Sequence, residues 1–561
     1  MENRPWYTSY PEGVAQEVNV EEFGSVTEFV NVCLKKYGSE VAYTNLGKEM
    51  TFSEVDAAAR NFAAYLQSLG LKKGDRIAIQ MPNCLQYPVA LFGAIRAGLI
   101  VVNTNPLYTA REMAHQFHDS GAKAVVVLAN FADKVQEILG ETHIEHVIVT
   151  ELGDLVGGLK GAIVNFVVKY IKKMVPAYSL PQAVKFKTAL SKGASSQFSP
   201  VETSLSDVGF LQYTGGTTGV SKGATLTHGN IIANMQMLFE WMKVSGVQER
   251  QETVVTALPL YHIFAFTINC LTMLKIGARN VLITNPRDLP AFVKDMSKEK
   301  VSVITGVNTL FNALLNNEEF RKLDFSSLKI AMGGGMAVQK AVNERWKELT
   351  GQPIIEGYGL SETSPVLTAN PLDGSDQIGT IGMPVPGTDV GIFDENGKRL
   401  GVGERGEICA KGPQVMQGYW ERKDETDKVF YDGGWFRTGD IGIMHEDGFF
   451  RIVDRIKDMI LVSGFNVYPN EVEDVVAMHE GVLECAAIGV PDPKSTEAVK
   501  VYIVKKDPGL TAQSVKDFCR DKLTGYKMPK HIEFAEELPK SNVGKILRRK
   551  IREMEMAKQE A

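Results

Sequence analysis

Between residues 25 and 125 the chain alternates amphipathic helical stretches with short β-branched runs, a rhythm that constrains its fold more than any other feature. VDAAARNFAAYLQSLG carries an apolar face at helical spacing and ends at Gly70, a residue suited to closing a helix. DRIAIQMPN follows as a strand broken at Pro82-Asn83. VALFGAIRAGLIVVNTNPLY then supplies a helix, a glycine stop and a buried strand. AKAVVVLAN and EHVIVTE add two more strands, and the pattern returns at TVVTALPL, ARNVLITN and VSVITGVN. Such alternation predicts right-handed crossovers and two mostly parallel α/β sheets. From about Gly382 to Asp454 the texture becomes glycine-rich, with short alternating strands (VGIFDENGKRL, GEICAKG, GFFRIVD), which predicts a small β-rich subdomain over 382–454. Beyond Arg455 a last segment has its own helices and strands (NEVEDVVAMH, CAAIGVP, AVKVYIVKK, VKDFCRDKL). The expected architecture is α/β (α+β multidomain), with a large N-terminal domain over 1–454 and a small α+β domain over 455–561.

Charge and cysteine usage narrow the function. Lys+Arg of 61 against Asp+Glu of 67 gives a net charge of −6, which speaks against a nucleic-acid binder. Cys33, Cys84, Cys270, Cys409, Cys485 and Cys519 are far apart and form no C-x-x-C pair. That pattern speaks against a disulfide framework or a cysteine zinc site and fits a reducing cytoplasm. MENRPWYTSYPEG lacks an apolar h-region, so no secretory signal is expected, and no apolar run is long enough to span a bilayer.

The segment from Tyr213 to Gly223, YTGGTTGVSKG, carries the clearest chemistry. Glycines let backbone N–H groups approach an anion, threonine hydroxyls add donors, and Lys222 adds charge. The lysine follows Gly219 by three residues and precedes Gly223, so this is not a Walker A loop.

TGGTTGVSKG resembles the phosphate loop of the adenylate-forming superfamily, which holds acyl-CoA synthetases, luciferases and peptide-synthetase adenylation domains. Further matches follow in family order along essentially the whole chain, and the whole length resembles bacterial long-chain fatty acid–CoA ligases. The resemblance implies that Thr214, Gly215, Gly216, Thr217, Thr218, Gly219 and Lys222 hold phosphates. In PLYH, His262 would line the acyl pocket near the reacting carboxylate. In MGGG, Gly333, Gly334 and Gly335 would let adenine lie against backbone. In EGYGLSE, Tyr358 would stack on adenine beside Gly359 and Ser361, Ser standing where the family has Thr. Glu362 would hold Mg²⁺ together with Thr214. In GWFRTGD, Asp440 would accept from the ribose hydroxyls, and Arg455 would contact the ribose or phosphate side. PKSNVGK places Lys545 on the family's catalytic lysine; Arg548-Arg549 and Lys550 are expected to be a solvated basic tail. Gly464 matches a glycine that a rotated C-terminal domain brings to the thioester site. The hinge is implied at 454–458, with Lys457 where many relatives have Asp.

The implied reaction converts fatty acid, ATP and CoA to acyl-CoA, AMP and pyrophosphate through an acyl-adenylate, with Mg²⁺, and feeds β-oxidation. A medium-chain or aryl-acid CoA ligase, and a fatty-acid uptake protein with a vestigial site, stay open as alternatives. Relatives often dimerise. Residues 162–175, AIVNFVVKYIKKMV, read as a helix with Asn165, Lys169, Lys172 and Lys173 on one face. Two readings stand: a helix packed on the core with solvated lysines, or a peripheral contact with the inner face of the membrane.

Overall fold

The computed structural model describes residues 4–214, 221–541 and 544–560. Four sheets organise them. The first runs, in spatial order, through Val184–Lys185, His146–Thr150, Ala124–Leu128, Arg76–Gln80, Ile100–Asn103, Val208–Tyr213 and Gly223–Thr227, all parallel except the last pair. The second has nine strands, with a parallel centre from Ile354–Gly359 to Val41–Asn45 and antiparallel pairs at both ends. Both mostly parallel sheets are as the alternation predicts.

Successive residues of a strand point to opposite faces, and here both faces are covered. Ile77 and Ile79 enter one apolar cluster while Ala78 enters another, and Val101 and Val102 divide the same way. The inner cluster joins one face of each sheet through helices Gln86–Arg96 and His228–Met242, which are buried nearly all round. The outer clusters lie under Ala110–Ser120 and Ala132–Ile138 on the first sheet and under Leu289–Met296, Asn308–Leu315 and Lys340–Thr350 on the second. Burial on both sides explains why these strands read as continuous β-branched runs.

Strands Asp389–Phe393, Arg405–Lys411, Phe430–Tyr431, Trp435–Met444 and Phe450–Arg455 form an antiparallel third sheet. The fourth contains Ile460–Val462, Phe465–Val467, Val482–Asp492, Thr496–Lys505 and His531–Ala535, with its own core including Val472, Val499, Val501 and Val515. All six cysteines are free and buried. Among the described residues no helix is long and apolar enough to cross a membrane.

The segment 162–175 departs from its expected form. Helix Gly158–Phe166 begins earlier, widens into a π-turn over Val167–Ile171 and stops before Lys172. Only Gly161 of these residues is buried, so the core-packed reading fails. Asn165 is half-buried where the lysines are exposed; its Oδ1 accepts from the Gly153 N–H at 2.6 Å.

Candidate active site

A cavity of about 1750 Å³ opens where the carboxyl ends of strands from both large sheets meet the third sheet and the C-terminal segment. Thr214, Val307, Gly334 and Gly359, each at or just past a strand end, line it. That is where open α/β sheets place ligands.

Cross-strand pairing builds its polar floor. Asp440 and Arg455 are register partners on antiparallel strands. Arg455 Nε donates to Asp440 Oδ1 at 2.9 Å, and the Tyr358 hydroxyl donates to Oδ2 at 2.6 Å. Asp440 is thus held in one orientation at the cavity wall by two donors from different sheets.

Lys545 reaches the same cavity from the C-terminal segment. Its loop is tied across to helix Asn308–Leu315, where the Thr309 hydroxyl donates to the Gly544 carbonyl at 2.9 Å. Within the loop, Lys545 N–H donates to Ser541 Oγ at 3.1 Å, and Ser541 N–H donates to the Lys545 carbonyl at 2.7 Å. The Arg455 guanidinium and then withdrawal from water hold the lysine down at about 7.

Glu362 sits in the short turn Ser361–Thr363 after strand Ile354–Gly359, with Ser361 also on the cavity wall. Burial pushes its carboxyl above the ordinary range, and the Tyr419 hydroxyl donates to Oε1 at 2.8 Å. Tyr419 also lies beneath Lys222, whose ammonium is 4.5 Å from the ring centroid and 2.8 Å from Glu425 Oε2. Thr214 N–H donates to the Lys222 carbonyl at 2.9 Å, closing the base of the glycine-rich loop. Gly215, Gly216, Thr217, Thr218 and Gly219 lie outside the described residues.

His262 caps a short helix; its Nδ1 accepts from the Phe264 N–H at 3.3 Å. Burial, with the Lys545 charge adding to it, pushes the imidazole down to about 4. The ring is therefore neutral at ordinary pH, with its proton on Nε2. The wall also includes Leu238, Leu258, Phe264, Ile268 and Val366, an apolar lining suited to a hydrocarbon substituent.

Two sequence readings need revision. Gly334 and Gly335 line the cavity, but Gly333 does not: a Cβ there would meet Val338 at 2.6 Å and Ile354 at 2.9 Å, so this glycine serves close packing behind the wall. Gly464, implied to reach the site only after rotation, lies in this arrangement on the exposed turn between strands Ile460–Val462 and Phe465–Val467, outside the cavity. Arg548 is no solvated tail. Its guanidinium donates twice to Glu473, at 2.9 and 2.6 Å, and approaches Asp458 at 3.4 Å and Asp454 at 3.6 Å.

The sequence reading also missed the braces at the base of the glycine-rich loop. His115 Nε2 lies 2.8 Å from the Ser221 carbonyl. Asp119 accepts from Tyr213 Oη at 2.8 Å and pairs with Arg422. Only the spacing of polar residues along helix Ala110–Ser120 hinted at either, and that spacing also suits a solvated face.

The sequence matches the description AMP-binding enzyme over residues 30–420, and AMP-binding enzyme C-terminal domain over 471–545. It is 55% identical to a long-chain-fatty-acid–CoA ligase of Salmonella typhimurium, over 98% of both chains. A ligase of the same name from Bacillus subtilis is 36% identical, also over 98% of each, and a feruloyl-CoA synthase from an Amycolatopsis species is 33% identical over 90% of this chain and 94% of the relative. Among solved structures, an anthranilate CoA ligase in complex with anthranoyl-AMP superposes with a TM-score of 0.86 at 25% identity, covering 97% of this chain and all of that one. MatB from Rhodopseudomonas palustris, 27% identical over 94% of this chain and 98% of its own, superposes with a TM-score of 0.80 when ATP is bound and 0.71 in its apo form. With most of its length matched by the family description and full-length relatives sharing over half its residues, the chain belongs to the AMP-binding enzymes.

Proposed function

We propose that this protein activates long-chain fatty acids: fatty acid, ATP and CoA give acyl-CoA, AMP and pyrophosphate through an acyl-adenylate, feeding β-oxidation. One observation carries the reading: Lys545, Glu362, Asp440 and neutral His262 share a cavity whose wall also has apolar residues. The 55% identity to long-chain ligases supports the substrate class.

A carboxylate must attack the α-phosphate of ATP, so two anions are brought together. The ammonium of Lys545 and the donors of the phosphate loop offset that charge as it builds. His262 can donate from Nε2 to the substrate carboxylate without adding a charge, and Asp440 offers its oxygens to the ribose hydroxyls. Glu362 and Thr214 suit Mg²⁺, a cation that takes one or two protein oxygens and completes its shell from phosphates and water. When bound, Mg²⁺ supplies positive charge to the phosphates.

Thioester formation requires Lys545 to leave and a pantetheine path to open. We assign that exchange to rotation of 455–561 about 454–458, bringing Gly464 to the cavity. The better superposition on ATP-bound than on apo MatB supports reading the present arrangement as the adenylating one. We place the enzyme in the cytoplasm, in peripheral contact with the inner face of the membrane, where long-chain acids partition. CoA-dependent AMP formation across C6 to C18 acids tests the proposal. A rate that peaks at C16–C18 is expected; a preference for aryl acids would overturn it.

Two further outcomes follow. Glu362→Gln keeps the shape of the side chain but removes its charge, so the Mg²⁺ titration of pyrophosphate release should move to higher concentration; an unmoved curve would take Glu362 off the metal. Lys545, at about 7 in the free enzyme, gains a proton when phosphates arrive beside it. ATP binding at slightly alkaline pH should therefore take up protons, read as a buffer-dependent binding enthalpy. Equal uptake in Lys545→Ala would refute this.

A further inference from the structure

The ridge formed by Leu159, Ile163, Phe166 and Tyr170 is apolar yet turned outward. These side chains are 52 to 78% exposed, and Ile171 and Met174 continue the patch at 64 and 53%. The i, i+4, i+7, i+11 spacing sets the four on one face of the helix. The opposite face is anchored. Gly161 packs so closely on Gly153 that a Cβ there would lie 2.3 Å from the Gly153 carbonyl oxygen. Asn165 accepts from Gly153 N–H and donates to Glu151 Oε2 at 3.2 Å. The chain thus fixes this helix by a polar clamp and a glycine contact, and leaves its hydrophobic side in water. An apolar patch held open in this way marks a surface for another phase or partner.

Charge identifies the partner. From Leu155 to Val201 there is no aspartate or glutamate, while Lys160, Lys169, Lys172, Lys173, Lys185, Lys187 and Lys192 all occur, in a chain of net charge −6. All seven are exposed, and none forms an ion pair with a described residue. Lys169 lies over the Tyr170 ring at 5.5 Å, beside the ridge. The segment leads into Val184–Lys185, the edge strand of the first sheet. A second copy docking face to face would bring two such lysine sets together, which like-charge repulsion opposes.

We infer that this ridge inserts into an anionic phospholipid surface, with Leu159, Ile163, Phe166 and Tyr170 entering the acyl–headgroup boundary and the lysines meeting the phosphates. The inference rests on the proposed use of membrane-derived fatty acids and goes beyond it in assigning the surface and the mode. Insertion, not charge alone, holds the protein, so attachment survives salt that screens the lysines.

The test is co-sedimentation of the full chain with vesicles of phosphatidylcholine mixed with phosphatidylglycerol, at low and high salt, and with phosphatidylcholine alone. Leu159→Ser/Ile163→Ser/Phe166→Ser/Tyr170→Ser is expected to weaken partitioning about 10²-fold, each large side chain accounting for several-fold or more. Lys160→Gln/Lys169→Gln/Lys172→Gln/Lys173→Gln should lose about tenfold or more on anionic vesicles only, and keep the salt-resistant remainder. Parent-like binding by the serine variant would overturn the inference, as would complete release of the parent by salt. So would a parent dimer that the serine variant lacks in velocity sedimentation with vesicle binding unchanged, which would give the face to a second copy. Acyl-CoA formation from oleate in detergent micelles should be equal in all three proteins. A parent inactive there would strike the ligase reading while the vesicle result stands.

Discussion

Lys545→Ala should slow adenylate formation on the order of 10²–10³-fold while thioester formation from a supplied acyl-adenylate stays largely intact. The C-terminal segment brings the lysine into the cavity on a loop tied to Thr309 through Gly544. It faces Arg455 and Asp440 there, at the end of the cavity where the nucleotide is assigned. A charge needed only when the α-phosphate is attacked lowers one barrier and leaves the thiol step untouched. Measuring the half-reactions separately decides it: pyrophosphate release for the first, and acyl transfer to CoA from synthetic adenylate for the second. Equal loss in both would mean that Lys545 is structural or that one arrangement serves both steps.

Arg548→Ala carries the second large effect. Its guanidinium, 17% exposed, is shared among Glu473, Asp458 and Asp454, whose side chains are 15, 9 and 0% exposed. Asp454 also accepts from the Asn470 N–H at 2.8 Å, so the arginine ties the start of the last helix to the residues where the hinge is proposed. Burial already pushes the Asp454 carboxyl up to about 6. Truncating one member of a buried ionic set leaves the others uncompensated, at a cost of about 3–5 kcal/mol. Hydrogen-exchange protection of strands Val482–Asp492 and Thr496–Lys505 should fall by that amount. Arg548→Lys should recover only part, because an ammonium cannot reproduce the forked contact with Glu473. Undiminished protection in the alanine variant would show the arginine to be dispensable.

These two residues differ in how well the sequence announced them. Lys545 was legible only because PKSNVGK resembles the family's lysine loop; by itself a loop lysine reads as a solvated charge. Arg548 was not, since a run of three basic residues looks solvated, and its partners, from Glu473 to Asp454, lie 75 to 94 positions away. The parallel strands were readable because burial on both faces demands unbroken β-branched runs. The pairing of Val41–Asn45 with Arg279–Leu282, far along the chain in the second sheet, left no local trace. Gly333 misled for a related reason: three adjacent glycines look equivalent, and only packing reveals that one faces Val338 and Ile354 instead of the cavity. The helix at Gly158–Phe166 kept two readings open, because amphipathic periodicity tells where the apolar side is but not whether anything covers it.

The burial of all six cysteines has a chemical consequence for an enzyme that makes mixed anhydrides. An acyl-adenylate transfers its acyl group to whatever thiolate meets it, and the intended acceptor is the thiol of CoA. Thiols of the protein itself would compete. Burial holds Cys33, Cys84 and Cys270 up at about 12 and raises Cys409, Cys485 and Cys519 as well, so none offers a thiolate near neutrality. Burial thereby keeps these thiols protonated, Cys485 at the cavity wall included, so the thiol of CoA meets little competition from the protein's own sulfur.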